Sequence, residues 1–463
     1  PLLEPLIASF DVAERKQIKA WLDCPLHNRR EDVRLLFASL CELILPLSPL
    51  KEASPSTSLS THERLTRSYL LDRVEDFMVW KYHDQHKRKE VIDIDLLKSY
   101  KERGLTYHLG NRLKRQRQQL RKHPRYDGEG LYAAFQLEEF YQEQHLDQTR
   151  RIAADFHRTE YYLLRAQTVT ALRRAALNLA GARFSEQAPE LPLLEEYLAV
   201  VEQQSELQKE PGILLYYNLC RYALPNPPVT LLPLAELTSL LDHYLDGFSS
   251  EDQVDLLKLL LNQAIRRLNQ RTSKSNLRDA FDLYRLGIEK ELLLHQKRIT
   301  VFTFNNIMGI ALRLEEKEFA ATFLENYQTY LPPATAQEVI SLNGARLAYA
   351  RGELSEALFL LQGADYRDNV HLMSARTLQI KIYYESGEHE ALRDLIRATR
   401  TLIRRRRDIG YHRQVYRNNL RMIQRLVNLN WPKPTAVDKF KSEVLALEPL
   451  TERDWLLKQL TTN

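Results

Sequence analysis

The residues of this chain best suited to chemistry are arginines at helical spacing. Arg413, Arg417, Arg421 and Arg425 fall every four residues, so on a helix they form a gently winding cationic stripe beside Tyr416, Leu420, Ile423 and Leu426. In the stretch before it, Arg397, Arg400, Arg404 and Arg407 share one helical face, with Leu395, Ile396, Leu402 and Ile403 on another. Arg405 and Arg406 thicken the cluster. From Ile396 to Arg425 ten arginines face one acid, whereas the whole chain carries a formal net charge of only +5. The charge is therefore segregated, and Lys101 to Arg125 makes a second basic pole with Arg112, Lys114, Arg115, Arg117, Arg121 and Lys122. A guanidinium forks onto carboxylate or phosphate. Three readings stand: a solvated face paired internally with neighbouring acids, a surface for an acidic protein partner, and a track for nucleic-acid phosphates. Zinc-finger spacing, an aromatic RNP segment and a convincing DNA-binding helix-turn-helix signature are all missing beside it.

No catalytic constellation competes with the arginines. The sequence contains no GxxxxGK[ST], GxGxxG, GxSxG or HExxH. His83-Asp84-Gln85-His86 places two potential metal ligands on one helix face, but Lys87, Arg88 and Lys89 follow at once and would repel a cation. Adjacent acids such as Glu138 and Glu139 point in different directions on a helix and make no acid-base pair. The tyrosine pairs 161/162, 216/217 and 383/384 read as core packing before base stacking, one ring inward and its neighbour at the rim. Trp80 and Trp431 read as closers of helix ends. The expectation is a non-enzymatic protein with no metal and no cofactor.

Composition sets the class. Gly contributes 14 of 463 residues and Pro 19, while Leu, Ala, Glu, Arg and Gln dominate, the vocabulary of helices rather than of many-stranded sheets. An all-α fold follows, and its length calls for more than one packed unit. Hydrophobic content of 44% with 27% charged residues of both signs supports a folded chain. Cys24, Cys41 and Cys220 are odd in number and widely spaced, which suits neither a disulfide framework nor a CxxC metal pair. With no signal-peptide pattern and no apolar run long enough to span a bilayer, the expected compartment is the cytoplasm.

Capping signals and breaks divide the chain. Asp11 with Glu14, Asn28 with Glu31, and Ser60 with Glu63 have capping-box spacing. Residues 1–45 read as an N-terminal helical segment, the Ser- and Pro-rich stretch 46–58 as a linker or long loop, and 59–130 as a basic helical domain continuing the N-terminal unit. Residues 131–298 read as divergent helical hairpins, with Ser249 and Ser250 ahead of Glu251 and Asp252 opening one helix. Residues 299–406 read as repeats and 407–463 as a basic C-terminal helix and cap. Within the repeats, 299–314 is a first helix, 315–317 a tight turn and 319–330 a second helix; Thr335 and Glu338 cap the next helix, which runs to residue 350.

The repeat signal lies in residues 336–398. Ala357, Leu358, Leu361 and Ala364 recur 34 residues later as Ala391, Leu392, Leu395 and Ala398, and Tyr349 recurs as Tyr383. Gly352-Glu353-Leu354-Ser355-Glu356-Ala357 is similar to the turn and second-helix opening of a tetratricopeptide repeat; Gly387-Glu388-His389-Glu390-Ala391 is one residue shorter between Gly and Ala. Over residues 299–406 the chain thus resembles the tetratricopeptide-like helical-repeat superfamily. That resemblance implies an α-solenoid of antiparallel helix pairs whose first helices line a groove for a peptide or protein surface. On those helices Asn305, Asn306, Asn343, Arg346, Lys381 and Tyr384 are the polar or amphipathic side chains able to reach a groove. The expected role is a protein-protein interaction scaffold or adaptor using the groove and the arginine surface, with Arg346 to Arg425 as the docking region. The alternative is a nucleic-acid-associated regulator using the arginine stripe.

Overall fold

The computed structural model describes residues 2–43, 60–85, 94–149, 156–182, 190–224, 231–271, 273–405, 412–429, 431 and 433–462. Among the described residues every regular element is helical; the nearest approach to a sheet is an isolated bridge between His295 and Arg298. The chain divides into two compact units, 1–105 and 106–463. The linker expected at 46–58 lies outside the described residues.

The first unit contains α1 (Leu3–Ser9), α2 (Val12–Asp23), α3 (Glu31–Leu43), α4 (Thr61–Gln85) and α5 (Ile94–Glu102). Two of the capping boxes form as the sequence predicts. Glu14 N–H donates to Asp11 at 2.7 Å while Asp11 N–H donates to Glu14 at 2.9 Å, and Ser60 and Glu63 reciprocate in the same way. Asn28 departs from that pattern. It is buried, its amide donates to the carbonyls of Leu22 and Arg30 and its oxygen accepts from Arg30 N–H, so it shapes the turn before α3 instead of capping it. Ile7, Ile18, Leu22, Val33, Leu70, Val74 and Phe77 close the core.

The second unit begins with α6 (Thr106–Lys122), α7 (Gly128–Thr149), α8 (Phe156–Gly181), α9 (Leu194–Gln203), α10 (Ser205–Gln208), α11 (Pro211–Ala223), α12 (Leu234–Tyr244), α13 (Ser250–Gln270) and α14 (Lys274–Glu289). The break between units precedes the basic helix α6 and does not fall at residue 130, because α6 packs on α7 and Arg117 pairs with the buried Glu138 at 2.9 Å. Ser249 caps α13 as expected, accepting from Asp252 N–H. One apolar core runs from Leu131 through Leu347.

Three helix pairs follow: α15 (Val301–Arg313) with α16 (Lys317–Tyr327), α17 (Ala336–Arg351) with α18 (Leu354–Gln362), and α19 (Asn369–Glu385) with α20 (His389–Arg405). The chain ends with α21 (His412–Val427), α22 (Pro434–Ala446) and α23 (Arg453–Thr462). α15, α17, α19 and α21 touch in succession.

All three pairs use one turn. Glu315, Gly352 and Gly387 adopt left-handed backbone with φ of 64°, 84° and 72°. The next residue, a glutamate each time, donates its N–H five residues back: Glu316 to Ala311, Glu353 to Ala348, Glu388 to Tyr383. Four residues on, the N–H of buried Ala320, Ala357 and Leu392 donates to that glutamate's carbonyl. Equivalent positions are therefore Gly352 with Gly387, Ala357 with Leu392 and Leu361 with Ile396, one residue further apart than the echo of residue types. Counted from the turn glycine the inward position is the same in both pairs, and Ala391 simply falls one place before the buried position that Leu392 holds. The positive φ makes a sign test available. Gly352→Ala and Gly387→Ala each lower unfolding stability by about 1 kcal/mol, and Glu315→Gly raises it, because only glycine occupies this region without strain. Chemical denaturation of the three variants checks the signs.

Candidate functional site: a cationic cleft

The second helix of the last pair and the two helices after it enclose a cationic cleft. On α20, Leu392, Leu395, Ile396 and Ile403 turn inward; on α21, Val415, Tyr416, Leu420, Met422, Ile423 and Leu426 do so, and Phe440 and Val444 of α22 join the same core. With those faces buried, the intervening arginines are held at the rim. A cleft of ≈ 790 Å³ opens between them, its cations being Arg400 and Arg404 from α20, Arg417, Arg421 and Arg425 from α21, and Lys439 from α22. Ile403, Leu420, Leu429 and Ala436 supply its aliphatic lining.

Neutralisation inside the cleft is incomplete. Arg425 pairs with Glu443, and Arg400 donates to Gln424. Arg404, Arg417, Arg421 and Lys439 have no carboxylate partner among the described residues. The sequence-predicted stripe therefore splits. Arg413 turns away and caps α20, donating to the carbonyls of Ile403 at 3.0 Å and Arg404 at 3.1 Å. Arg397 is exposed, pairs with Asp394 at 2.6 Å and does not line the cleft. Arg406 and Arg407 lie outside the described residues. Gln424 and Asn428 join the site three and seven residues after Arg421, at the helical spacing of the stripe, whereas Lys439 enters from α22 without any local signal.

The residues expected to line a groove are bonded or packed within the chain, Asn343 buried and the other five partly so. Arg346 Nη1 donates to Asn343 Oδ1 at 3.2 Å, Asn343 donates to Asn305 Oδ1 at 2.7 Å, and Asn305 Nδ2 lies 3.0 Å from His371 Nε2. His371 Nδ1 lies 3.2 Å from Glu338, whose other oxygen accepts the N–H groups of Arg367 and Asp368. This polar chain stitches α15, α17 and α19 together. It also explains why Glu338 forms no capping box with Thr335, whose hydroxyl donates to Pro332. Asn306 donates to Tyr284. Burial depresses the Arg346 pKa below the usual guanidinium value, and it pushes the Tyr366 hydroxyl up to about 12. Lys381 pairs with Glu452 at 3.0 Å, and Tyr384 packs edge-on against Trp455 with centroids 5.5 Å apart. Asn343, fully buried, cannot reach a partner, and Lys381 and Tyr384 are covered by the chain's own 451–459 segment.

The remaining candidates are structural. Tyr216 is fully buried and donates to Asp252, and Tyr217 donates to Glu202. Tyr161 and Tyr162 pack on the core beneath Arg165, while Trp431 packs on the C-terminal core. Trp80 stays half-exposed in an aromatic cluster with Trp21 and Phe77. Cys220 is buried, with its thiol pushed up to about 12 by desolvation, which makes it inert as a nucleophile. His83 is exposed and His86 lies outside the described residues, among which no group of His, Cys, Asp and Glu is placed to hold a metal ion. On the second basic pole, Arg117 is paired and stacked over Tyr141 at 3.7 Å, while Lys114, Arg115, Arg121 and Lys122 are solvated. No helix among the described residues is long and apolar enough to cross a membrane.

Compared with family models, curated proteins and solved structures, the chain matches none of them.

Asn343→Ala leaves Asn305 and Arg346 without their buried partner. It lowers unfolding stability by about 2 kcal/mol while leaving the cleft's affinity for anions unchanged, as paired denaturation and binding measurements on one preparation would show.

Proposed function

We propose that the protein is a non-enzymatic interaction scaffold whose cleft at α20, α21 and α22 holds an acidic segment of a protein partner. The observation that supports this reading is the convergence of Arg404, Arg417, Arg421 and Lys439 on one cleft without carboxylate partners among the described residues. Like charges so arranged repel one another in the free protein and are relieved by an incoming anion. The recurrent turn and the succession α15, α17, α19, α21 support a tetratricopeptide-like solenoid as the frame. Free Cys24, Cys41 and Cys220 accord with a cytoplasmic setting. Nucleic acid is the weaker reading, since no aromatic ring among the described residues lines the cleft to stack a base.

The test uses two labelled probes of equal net charge, a Glu- and Leu-containing peptide and a single-stranded oligonucleotide, in fluorescence anisotropy with the full chain. The peptide binds more tightly, its affinity falls as salt rises, and the triple variant Arg404→Glu, Arg417→Glu, Arg421→Glu loses it by about tenfold or more. Tighter binding of the oligonucleotide, or no effect of the triple variant, overturns the proposal.

A further inference from the structure

We infer that the cleft recognises a phosphorylated segment, a phosphate monoester on a partner protein being the group that Arg404, Arg417 and Arg421 grip together. This inference rests on the acidic-segment reading above and names the chemistry of the acid.

One guanidinium fork engages both oxygens of one carboxylate and balances its single charge. Here Arg400 and Arg425 are already engaged by Gln424 and Glu443, whereas Arg404, Arg417, Arg421 and Lys439 have no carboxylate partner among the described residues. Arg417 and Arg421 stand one turn apart on α21, a rise of about 6 Å, which allows both forks to converge on a single group. Arg404 enters from α20 and Lys439 from α22, so three separate elements present charge to the same ≈ 790 Å³. A lone carboxylate would leave most of those cations uncompensated. A phosphate monoester carries about −1.5 to −2 charges at neutral pH and three acceptor oxygens, enough for several forks at once.

The remaining lining separates the sources of phosphate. A diester backbone offers one charge per unit and brings bases, for which Ile403, Leu420, Leu429 and Ala436 provide no aromatic platform. Free phosphate would leave most of the volume empty. The aliphatic side chains and the Asn428 amide suit the residues flanking a phosphorylated side chain, which places this cleft among arginine clusters that read phospho-motifs.

The experiment presents the full chain with three degenerate peptide libraries identical except for a central phosphoserine, serine or glutamate, alongside a single-stranded oligonucleotide and inorganic phosphate as competitor. The phosphoserine library binds about tenfold or more tightly than the other two, and inorganic phosphate displaces it. Arg417→Lys with Arg421→Lys, which keeps the charge and removes the forks, brings phosphoserine binding down to the level of glutamate while glutamate binding persists. If glutamate and phosphoserine libraries bind equally, the phosphate inference fails and the acidic-segment reading stands. If no library binds, both fail, and preferential binding of the oligonucleotide replaces both with a nucleic-acid surface.

Discussion

Burial of the aliphatic faces of α20 and α21 constrains everything at the C-terminal end of this molecule. Leu392, Ile396 and Ile403 on one helix and Leu420, Ile423 and Leu426 on the other must face the shared core with Phe440 and Val444. Fully burying each such side chain is worth about 1.5 to 3 kcal/mol. Rotation of either helix to disperse its charge would expose several of them at once. Repulsion between exposed guanidinium groups, screened by water and salt, is smaller than that. The arginines are thus held together by an apolar requirement that has nothing to do with charge.

The same constraint sorts the arginines by role. A side chain in the last turn of a helix, or just beyond it, lies near carbonyls that lack intrahelical partners. Arg413 is drawn to those of Ile403 and Arg404 for this reason, despite belonging by spacing to the stripe on α21. Arg397 has an aspartate three residues earlier on its own helix and closes a local pair. What remains for the cleft are Arg404, Arg417, Arg421 and Lys439, which have no carboxylate partner among the described residues, beside Arg400 on Gln424 and Arg425 on Glu443.

Sequence patterns exposed the helices well, because helix formation here is written in local terms: Asp11 and Glu14, Ser60 and Glu63, and Ser249 each cap the helix they precede. The turn glycines of the last two pairs were legible for the same reason. Residue-type recurrence was a poorer guide to register. Alanine and leucine both satisfy an inward position, so the echo from Ala357 to Ala391 survives even though Leu392 holds the equivalent buried place. The five arginines of the site were legible from their spacing; Lys439 was not, since its membership depends on how α22 returns against α21. Asn305, Asn343 and Arg346 were legible as polar positions on first helices, but not as links of one hydrogen-bonded chain, because polarity on a helix looks the same whatever it bonds to.

That last distinction bears on where the proposed partner would dock. A polar group contributes to recognition only if it is not already satisfied, since exchanging one good hydrogen bond for another yields little. Along α15, α17 and α19 the polar groups from Arg346 to Glu338 form a linked series, and Lys381 and Glu385 hold the chain's own Glu452 and Trp455. Displacing that segment would expose Leu450, Trp455 and Leu456, all buried in the C-terminal core. An incoming ligand at the inner row would therefore have to replace satisfied bonds and uncover apolar surface. At the cleft it meets Arg404, Arg417, Arg421 and Lys439, which have no carboxylate partner among the described residues, and the electrostatic relief adds to binding. The side of the molecule carrying Arg404, Arg417 and Arg421 is consequently favoured over the row that the repeat pattern first suggests.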